Sequence, residues 1–219
     1  SGYFRYFRTE QSHSNDKPDY VLSAYTIKSF DYLKSLSVVT PDKLRTTLEN
    51  KLAKVFSTAT VLDVNGRPVI PYETSANIAG ALINEKSLDE NTLNVLWNQW
   101  GELSWYARSE LLLALSRKPE FSAQLQEGIT RLQQAGKQQG LRRVLKDDRD
   151  FSAYMGSGLR DQCAVAAALW QLDKSEAGLP VRKAMLRGVY DLYAGGTASL
   201  DTQSSAQCLM SLHSVTSAM

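Results

Sequence analysis

Four stretches of the chain combine small and apolar residues at helical spacing. They are residues 20–30, 73–85, 160–173 and 200–215, where Ala, Ser and Leu recur three or four positions apart after a polar opening. Small side chains let helices approach one another closely, because the distance between two helix axes depends on the side chains at the contact. The pattern therefore predicts several helices packed side by side around a common centre.

A second kind of helix is predicted between these stretches. Residues 41–56, 119–134 and 180–193 carry charged side chains on one face, and each begins with Pro, which is favoured in the first helical turn. Leu44, Leu48 and Leu52 form one apolar row of this kind, four residues apart. We expect the helices rich in small residues to be buried on nearly all sides, and the charged helices to keep one wet face.

Roughly nine helices follow from this periodicity. They begin near positions 19, 41, 73, 87, 104, 119, 157, 180 and 201. Short connections favour antiparallel neighbours. We therefore predict an all-α fold, an α/α toroid in which antiparallel helix pairs form a partial barrel, with residues 1–219 as one domain. The helices at 73–84, 160–172 and 202–217 are expected on the inner ring.

A small β-hairpin interrupts this helical pattern. Asn65-Gly66 lies between two short β-prone runs, at 61–64 and 67–70, and this dipeptide favours a two-residue hairpin turn. Residues 137–156 are charged and irregular, and short strands are predicted there at 141–145 and 151–155.

Composition narrows the class of protein without identifying a function. The 219-residue chain is 43% hydrophobic and 22% charged, as is ordinary for a globular protein. Its net charge of +2 is spread along the sequence without a basic stripe, so nucleic-acid binding has no support. No apolar run reaches the length of about 18 residues that a membrane span needs. The first residues lack a signal-peptide layout, and we expect them to lie inside a longer protein.

Cys163 and Cys208 both fall within predicted apolar helices. We favour buried free thiols that act as small hydrophobic side chains, and a disulfide between the two helices is the alternative. The histidines are His13 and His213, and no C-x-x-C spacing occurs, so the sequence has no zinc signature. We assign no metal and no cofactor.

Three groups of residues invite a catalytic interpretation. Asp147, Asp148 and Asp150 are similar to the aspartate-rich magnesium motifs of prenyl-diphosphate enzymes, but the third aspartate comes one position too early, so we interpret them as a solvated turn. His13 lies between serines in a polar loop, and His213 lies on a helix near Leu209 and Leu212. No set of carboxylate and nucleophile points to His13, so we interpret it as an exposed loop histidine, and we interpret His213 as a helix-face histidine that bonds to a neighbour.

Carboxylates near helix starts are a further candidate, because glycoside hydrolysis uses a pair of them. Glu10, Asp16, Asp19 and Glu73 have such positions, but acidic residues are also favoured there by the helix dipole.

Aromatic residues crowd around Gly101, at Trp97, Trp100, Trp105 and Tyr106. Such a cluster can line a sugar groove, and we favour instead a core seam where two helices meet.

Several segments, in order, resemble the thioester domain of the alpha-2-macroglobulin and complement superfamily. Residues 2–7 (GYFRYF) are similar to its glycine-aromatic segment, residues 19–33 (DYVLSAYTIKSFDYL) to its "WLTAFVLKSF" type of helix, and residues 72–85 to its "SAY…ALLE" helix. Residues 158–173 and 200–212 resemble the "LRD-x-A…LLAL" and "STQ-x-x-A…LLAL" helices of bacterial members.

The resemblance implies an α/α toroid within a large bacterial envelope protein that inhibits proteases by trapping them. In active members a Cys-x-Glu-Gln motif forms an internal thioester, and cleavage of a bait region exposes it for covalent attachment to the protease. This stretch has no Cys-x-Glu-Gln, and Gln162-Cys163 and Gln207-Cys208 have the two residues adjacent and reversed. Positions 61–72 hold no histidine to tune a thioester, as one does in complement relatives.

We therefore predict a scaffold that is not an enzyme, with no catalytic, cofactor-binding or metal-binding residue. The resemblance also implies a periplasmic location, a lipoprotein anchor of the full-length protein to the inner membrane, and partners that are proteases and other envelope proteins. An incomplete ring would expose apolar surface, so we expect self-association at that edge. Two alternatives stay open: an α/α-toroid enzyme acting on a polysaccharide or an isoprenoid, and a helical-repeat module that binds proteins.

Overall fold

The computed structural model describes residues 19–83, 88–146, 156–194 and 202–218. Within these residues the fold is all-α, with nine α-helices and one small antiparallel hairpin, as predicted. The chain divides into two compact units, Ser1–Gln99 and Trp100–Met219. Closure of the helices into a ring stays a prediction.

The first unit contains four described helices. They are α1 (Tyr20–Ser35), α2 (Asp42–Phe56), α3 (Tyr72–Ala81) and α4 (Glu90–Asn98). Helix α1 packs against both α2 and α3. The row at Leu48 and Leu52 is fully buried, whereas Leu44, one turn earlier, is exposed. Arg45 joins α2 to α1, because its guanidinium lies 2.9 Å from the carboxylate of Asp31 on α1. The same guanidinium lies 2.7 Å from the carboxylate of Glu49 on its own helix.

Helix α3 has the small-residue composition expected of a buried helix, and its burial confirms that expectation. Every residue from Glu73 to Ala81 is buried. Ala, Ser and Gly at these positions leave room for neighbouring helices to approach on several sides.

The Asn65-Gly66 segment forms a tight turn with a single antiparallel bridge, Leu62 to Pro68, instead of two extended strands. The Asp63 carboxylate accepts hydrogen bonds from the backbone N–H groups of Asn65 and Arg67, at 2.8 and 2.9 Å. Gly66 has φ +73°, which glycine adopts without steric cost. Two backbone hydrogen bonds flank the bridge: the Asp63 N–H donates to the Arg67 carbonyl at 2.7 Å, and the Val69 N–H donates to the Val61 carbonyl at 3.0 Å.

The second unit contains five described helices and the hairpin. They are α5 (Trp105–Leu115), α6 (Ser122–Gln134), β1 (Lys137–Gln139), β2 (Arg142–Val144), α7 (Gly158–Leu172), α8 (Leu179–Ala194) and α9 (Thr202–Ala218). The predicted strand at 141–145 is confirmed as β2, β1 was not predicted, and the predicted strand at 151–155 lies outside the described residues.

Helix α7 lies at the centre of this unit and packs against α5, α8 and α9. Its residues are buried continuously from Leu159 to Leu169. Arg160 is only 1% exposed, and its guanidinium lies 3.1 Å from the Asp161 carboxylate and 4.3 Å from the ring centre of Tyr106. The predicted burial of this helix is therefore confirmed.

Two helices do not follow the predicted division into fully buried helices and helices with one solvent-exposed face. Helix α9 was expected to be buried on nearly all sides, but Leu209 is 61% exposed, so that expectation is wrong. Helix α5 was not expected to be an inner helix, yet nine of its eleven residues are buried, from Tyr106 to Leu115 with one gap. The charged residues Arg108 and Glu110 in its sequence do not indicate that the helix is buried.

Helix termini follow ordinary capping chemistry. Side chains at the N-caps of α1, α4, α5 and α7 accept backbone N–H bonds, and these residues are Asp19, Asp89, Ser104 and Ser157. Helix α2 begins one residue later than predicted, with Pro41 and not Thr40 at the N-cap. The predicted capping residue Ser87 lies outside the described residues. In the described part of the chain, no helix is both long enough and apolar enough to cross a bilayer.

A buried carboxylate, Asp173, joins α6, α7 and α8. Its two oxygens accept hydrogen bonds from the Ser175 hydroxyl at 2.6 Å and the Gln133 amide at 2.8 Å, and Arg182 lies 3.1 Å away. Burial acts to raise the pKa of this carboxyl, but the Ser175 and Gln133 hydrogen bonds and the Arg182 charge together hold the pKa below its ordinary value.

We predict that Asp173→Asn destabilises the protein by about 2 kcal/mol at neutral pH, because the donors lose a charged acceptor. The folded-state pKa is depressed, so the stabilisation exists above the unfolded-state pKa and is lost as the pH falls below about 4. Urea unfolding at several pH values measures the difference between the two proteins. A difference that does not shrink in acid would contradict the assignment. Ser175→Ala keeps the carboxylate and should reproduce part of the effect.

Gly188 determines how closely the hairpin approaches α8. A Cβ at this position would lie 2.2 Å from the Arg143 carbonyl oxygen and 2.6 Å from the Gln162 amide nitrogen. The nearest group is backbone, so it cannot move aside by changing rotamer. The absence of a side chain at Gly188 lets β2 lie directly on the helix.

We predict that Gly188→Ala costs about 1–3 kcal/mol of unfolding free energy, as overpacking in a filled core does. The matched control is Gly158→Ala in the first turn of α7, where an added Cβ meets nothing within 4 Å. That change should be neutral or slightly stabilising. Thermal and urea unfolding of both variants check the prediction, and equal stability of the two would show that the hairpin is not held as described.

Candidate functional site: a groove between α8, α9 and the hairpin

Of the carboxylates considered from the sequence, the structure describes Asp19 and Glu73. Asp19 caps α1, with its carboxylate accepting the Leu22 N–H at 2.8 Å. Glu73 lies in the first turn of α3 and is 4% exposed. Glu10 and Asp16 lie outside the described residues.

The aromatic cluster around Gly101 surrounds an arginine. The Arg108 guanidinium lies 4.3 Å from the ring centre of Trp105 and 5.7 Å from that of Trp100, and its Nε donates to the Trp100 carbonyl at 2.9 Å. Arg108 is only 7% exposed. These contacts favour the interpretation as a core seam, here between α5 and the short 3-10 helix Trp100–Glu102. Trp97 belongs to the first unit.

The remaining candidates offer no convergent set of reactive groups in the described residues. His213 lies half-buried on α9. His13 and the cluster of Asp147, Asp148 and Asp150 lie outside the described residues. Across the described part of the chain, no group of three or more His, Cys, Asp or Glu side chains is placed to hold a metal ion.

A single buried glutamine, Gln162 of α7, fixes the hairpin in place. Its amide nitrogen donates to the carbonyl oxygens of Arg143 and Met185, at 2.9 and 3.1 Å, and its carbonyl oxygen accepts from the Leu145 N–H at 2.8 Å. One side chain therefore joins α7 to both β2 and α8. Because Gln162 is fully buried, each of these bonds replaces a contact with water that the groups have lost.

Beside this junction, an open cavity of about 680 Å³ lies between the hairpin and α8. Its lining consists of Gln139, Leu141, Arg142, Leu186, Arg187, Tyr190 and Asp191. Arg142 and Asp191 pair across it at 3.0 Å. Leu141, in the hairpin turn, is 73% exposed.

A second cavity of about 400 Å³ lies between α8 and α9. Its lining consists of Leu186, Val189, Tyr190, Tyr193, Ser205, Cys208, Leu209 and Leu212. The two cavities adjoin, because Leu186 and Tyr190 line both, and we call the pair of cavities the α8 groove. It is the candidate functional site.

Large apolar side chains remain exposed along the α8 groove. Tyr190 is 71% exposed, Tyr193 58% and Leu209 61%. Isolated exposed hydrophobic residues are ordinary, but a contiguous group around a depression is typical of a binding surface.

The sequence held a signal for the α8 groove. Leu186, Tyr190 and Tyr193 repeat at helical spacing on α8, beside the buried row of Met185 and Val189. A helix with two apolar stripes has a wider apolar surface than one neighbour needs.

A disulfide between Cys163 and Cys208 holds one wall of the groove. The two Cα atoms are 5.2 Å apart, and the bond joins α7 to α9. Our preference for free thiols was wrong, and the alternative is correct. Each cysteine is buried, so periodicity alone gave the same apolar signal for both states.

Solved structures share this fold. No protein-family profile matches the sequence. An alpha-2-macroglobulin from Salmonella, reacted with methylamine, matches 91% of the chain with a TM-score of 0.67 and 18% identity. Trypsin-activated alpha-2-macroglobulin from Escherichia coli matches 99% of the chain, with a TM-score of 0.67 and 14% identity. The chain has the fold of a region of bacterial alpha-2-macroglobulins.

That region is a small part of those proteins. The chain spans 12% of the Salmonella protein and 14% of the trypsin-activated Escherichia coli protein. It spans 32% of a native Escherichia coli structure that runs from domain MG7 to the C-terminus, with a TM-score of 0.66 and 16% identity. At these identities the likeness shows a shared fold.

The Cys163–Cys208 disulfide leads to a prediction about the stability of the protein. Replacing both cysteines by serine should lower the unfolding free energy by about 2–4 kcal/mol, because the cross-link no longer restricts the unfolded chain. Urea unfolding with and without dithiothreitol measures this. The native protein should lose stability on reduction and the double variant should be unaffected, whereas equal sensitivity of the two to reductant would contradict the assignment.

Proposed function

We propose that this chain is the helical scaffold of a bacterial alpha-2-macroglobulin-like protein that traps proteases. The observation that carries the proposal is the match in fold over nearly the whole chain to solved alpha-2-macroglobulins from two bacteria. The ordered sequence resemblance from Gly2 to Leu212 supports it independently, because it rests on residues and not on coordinates.

Proteases are the proposed partners of the full-length protein. The Escherichia coli relatives include one activated by porcine elastase and one activated by trypsin. We extend that relationship to the longer protein in which this chain lies.

In this proposal the chain is not an enzyme, and it contributes no thioester. The Cys-x-Glu-Gln motif does not occur in its sequence. Both cysteines form the disulfide, and Gln162 bonds to the hairpin and α8. A cross-linked sulfur cannot form a thioester with a neighbouring glutamine. The proposed role of this region is that of a rigid helical scaffold within the longer protein.

We also propose a periplasmic location, with the full-length protein anchored to the inner membrane as a lipoprotein. Disulfides form and persist in oxidising compartments such as the bacterial periplasm, and a disulfide inside a helical core is uncommon in the cytosol. The Cys163–Cys208 bond supports the first part of this proposal.

Protease trapping is tested on the full-length protein. Incubation with trypsin or elastase should yield a complex that carries the protease on a native gel. The matched control is the same protease inactivated at its catalytic serine, which cannot cut a bait region and should not be captured. Degradation without a complex would overturn the proposal, as would equal capture of the inactive enzyme.

Methylamine tests the claim that this region has no thioester. The intact mass of the 219-residue chain should be unchanged by methylamine, because the amine has no activated acyl group to attack. Thiol titration should find free thiols only after reduction. A mass increase, or free thiol released by methylamine, would contradict the claim while leaving the assignment of the fold intact.

A further inference from the structure

The α8 groove combines exposed apolar side chains with an excess of positive charge. Residues 137–146 contain four basic residues and no acidic one, and α8 adds Lys183 and Arg187 against one acidic residue, since its third basic residue, Arg182, is buried and paired with Asp173. The chain as a whole has a net charge of only +2.

The positions of these charges matter more than their number. Lys137, Lys183 and Arg187 are exposed, and Arg187 lines the cavity between the hairpin and α8. Asp191 is the acidic residue of that lining, and Arg142 already pairs with it at 3.0 Å. Among the described residues Arg187 forms no ion pair, and its guanidinium donates only a long hydrogen bond, at 3.5 Å, to the Leu141 carbonyl. Its charge is therefore available to complement a negative group from another molecule.

The apolar part of the site is concave. Leu186, Val189 and Leu212 lie at the depression between α8 and α9, and Tyr190 and Leu209 stand exposed beside it. Its volume of about 400 Å³ falls in the range of typical small-ligand pockets, about 300–1,000 Å³. Such a depression accepts protruding apolar side chains.

The groove is also held rigidly. The Cys163–Cys208 disulfide ties α9 to α7, and Gln162 ties the hairpin and α8 to the same helix. All three walls are therefore fixed to α7. A site that is ordered before binding loses little conformational entropy when a ligand arrives.

We propose that the α8 groove binds a short acidic and apolar segment of a partner protein. Apolar side chains of that segment fill the depression between α8 and α9, and an adjacent Asp or Glu pairs with Arg187. The inference does not depend on protease trapping, because it rests on the charge and shape of this surface alone.

The probe is a fluorescein-labelled synthetic peptide in which Glu and Asp flank Phe and Leu. Two control peptides replace the acidic residues by Lys or the apolar residues by Ser. Fluorescence anisotropy with the purified protein measures the dissociation constant. The acidic and apolar peptide should bind at least about tenfold more tightly than either control, and salt should weaken it.

Protein variants locate the site. Arg187→Glu and Tyr190→Ala should each weaken binding about tenfold, since a charged anchor and an aromatic anchor are removed. Tyr190→Phe should retain binding, because the ring remains. Lys43→Glu makes the same charge change on an exposed residue of the first unit and should have no effect. Both altered residues are exposed, and circular dichroism confirms that each variant is folded.

Three results would overturn the proposal. The first is equal binding of the Lys-containing peptide. The second is binding that Lys43→Glu weakens as much as Arg187→Glu, which would indicate non-specific charge attraction. The third is binding to anionic phosphatidylserine vesicles that Tyr190→Ala abolishes, without binding to the peptide, which would assign the surface to a membrane. Weaker binding of both control peptides to the native protein, together with weaker binding of the acidic and apolar peptide to both groove variants, supports the proposal.

Discussion

A helix that is buried on every side must satisfy its polar side chains within the protein, since an unpartnered buried polar group costs about 1–3 kcal/mol. Helix α7 meets this condition with consecutive residues in its first turns. Arg160 pairs with Asp161 and stacks on Tyr106, and Gln162 bonds to β2 and α8. The contacts that satisfy the buried polar side chains of α7 therefore also fix the positions of the neighbouring elements.

The periodicity of the chain predicted every described α-helix, and the predicted starts lie within about three residues of those observed. It also predicted the burial of α3 and α7, because Ala and Ser recur on all sides of those helices. It failed for α5, where Arg108 and Glu110 are buried because α6 and α7 pack against this helix in the folded chain. Local pattern predicts that an element exists, whereas burial of a charged residue depends on tertiary contacts.

The candidate site was less predictable for the same reason. The hairpin lies on α8 through Gly188, and nothing in the residues around Gly188 indicates that β2 passes over it. The cysteines occupy apolar positions that suit a thiol and a disulfide equally. The second apolar stripe on α8, at Leu186, Tyr190 and Tyr193, is visible in the sequence, but our sequence analysis did not identify it.

The bond between Cys163 and Cys208 spans 45 positions of the chain and encloses all of α8. A peptide bond hydrolysed anywhere inside that loop leaves two pieces that are still covalently one molecule. They separate only when the sulfurs are reduced. In surroundings rich in proteolytic enzymes, a nick in this part of the protein would therefore not release the last helix.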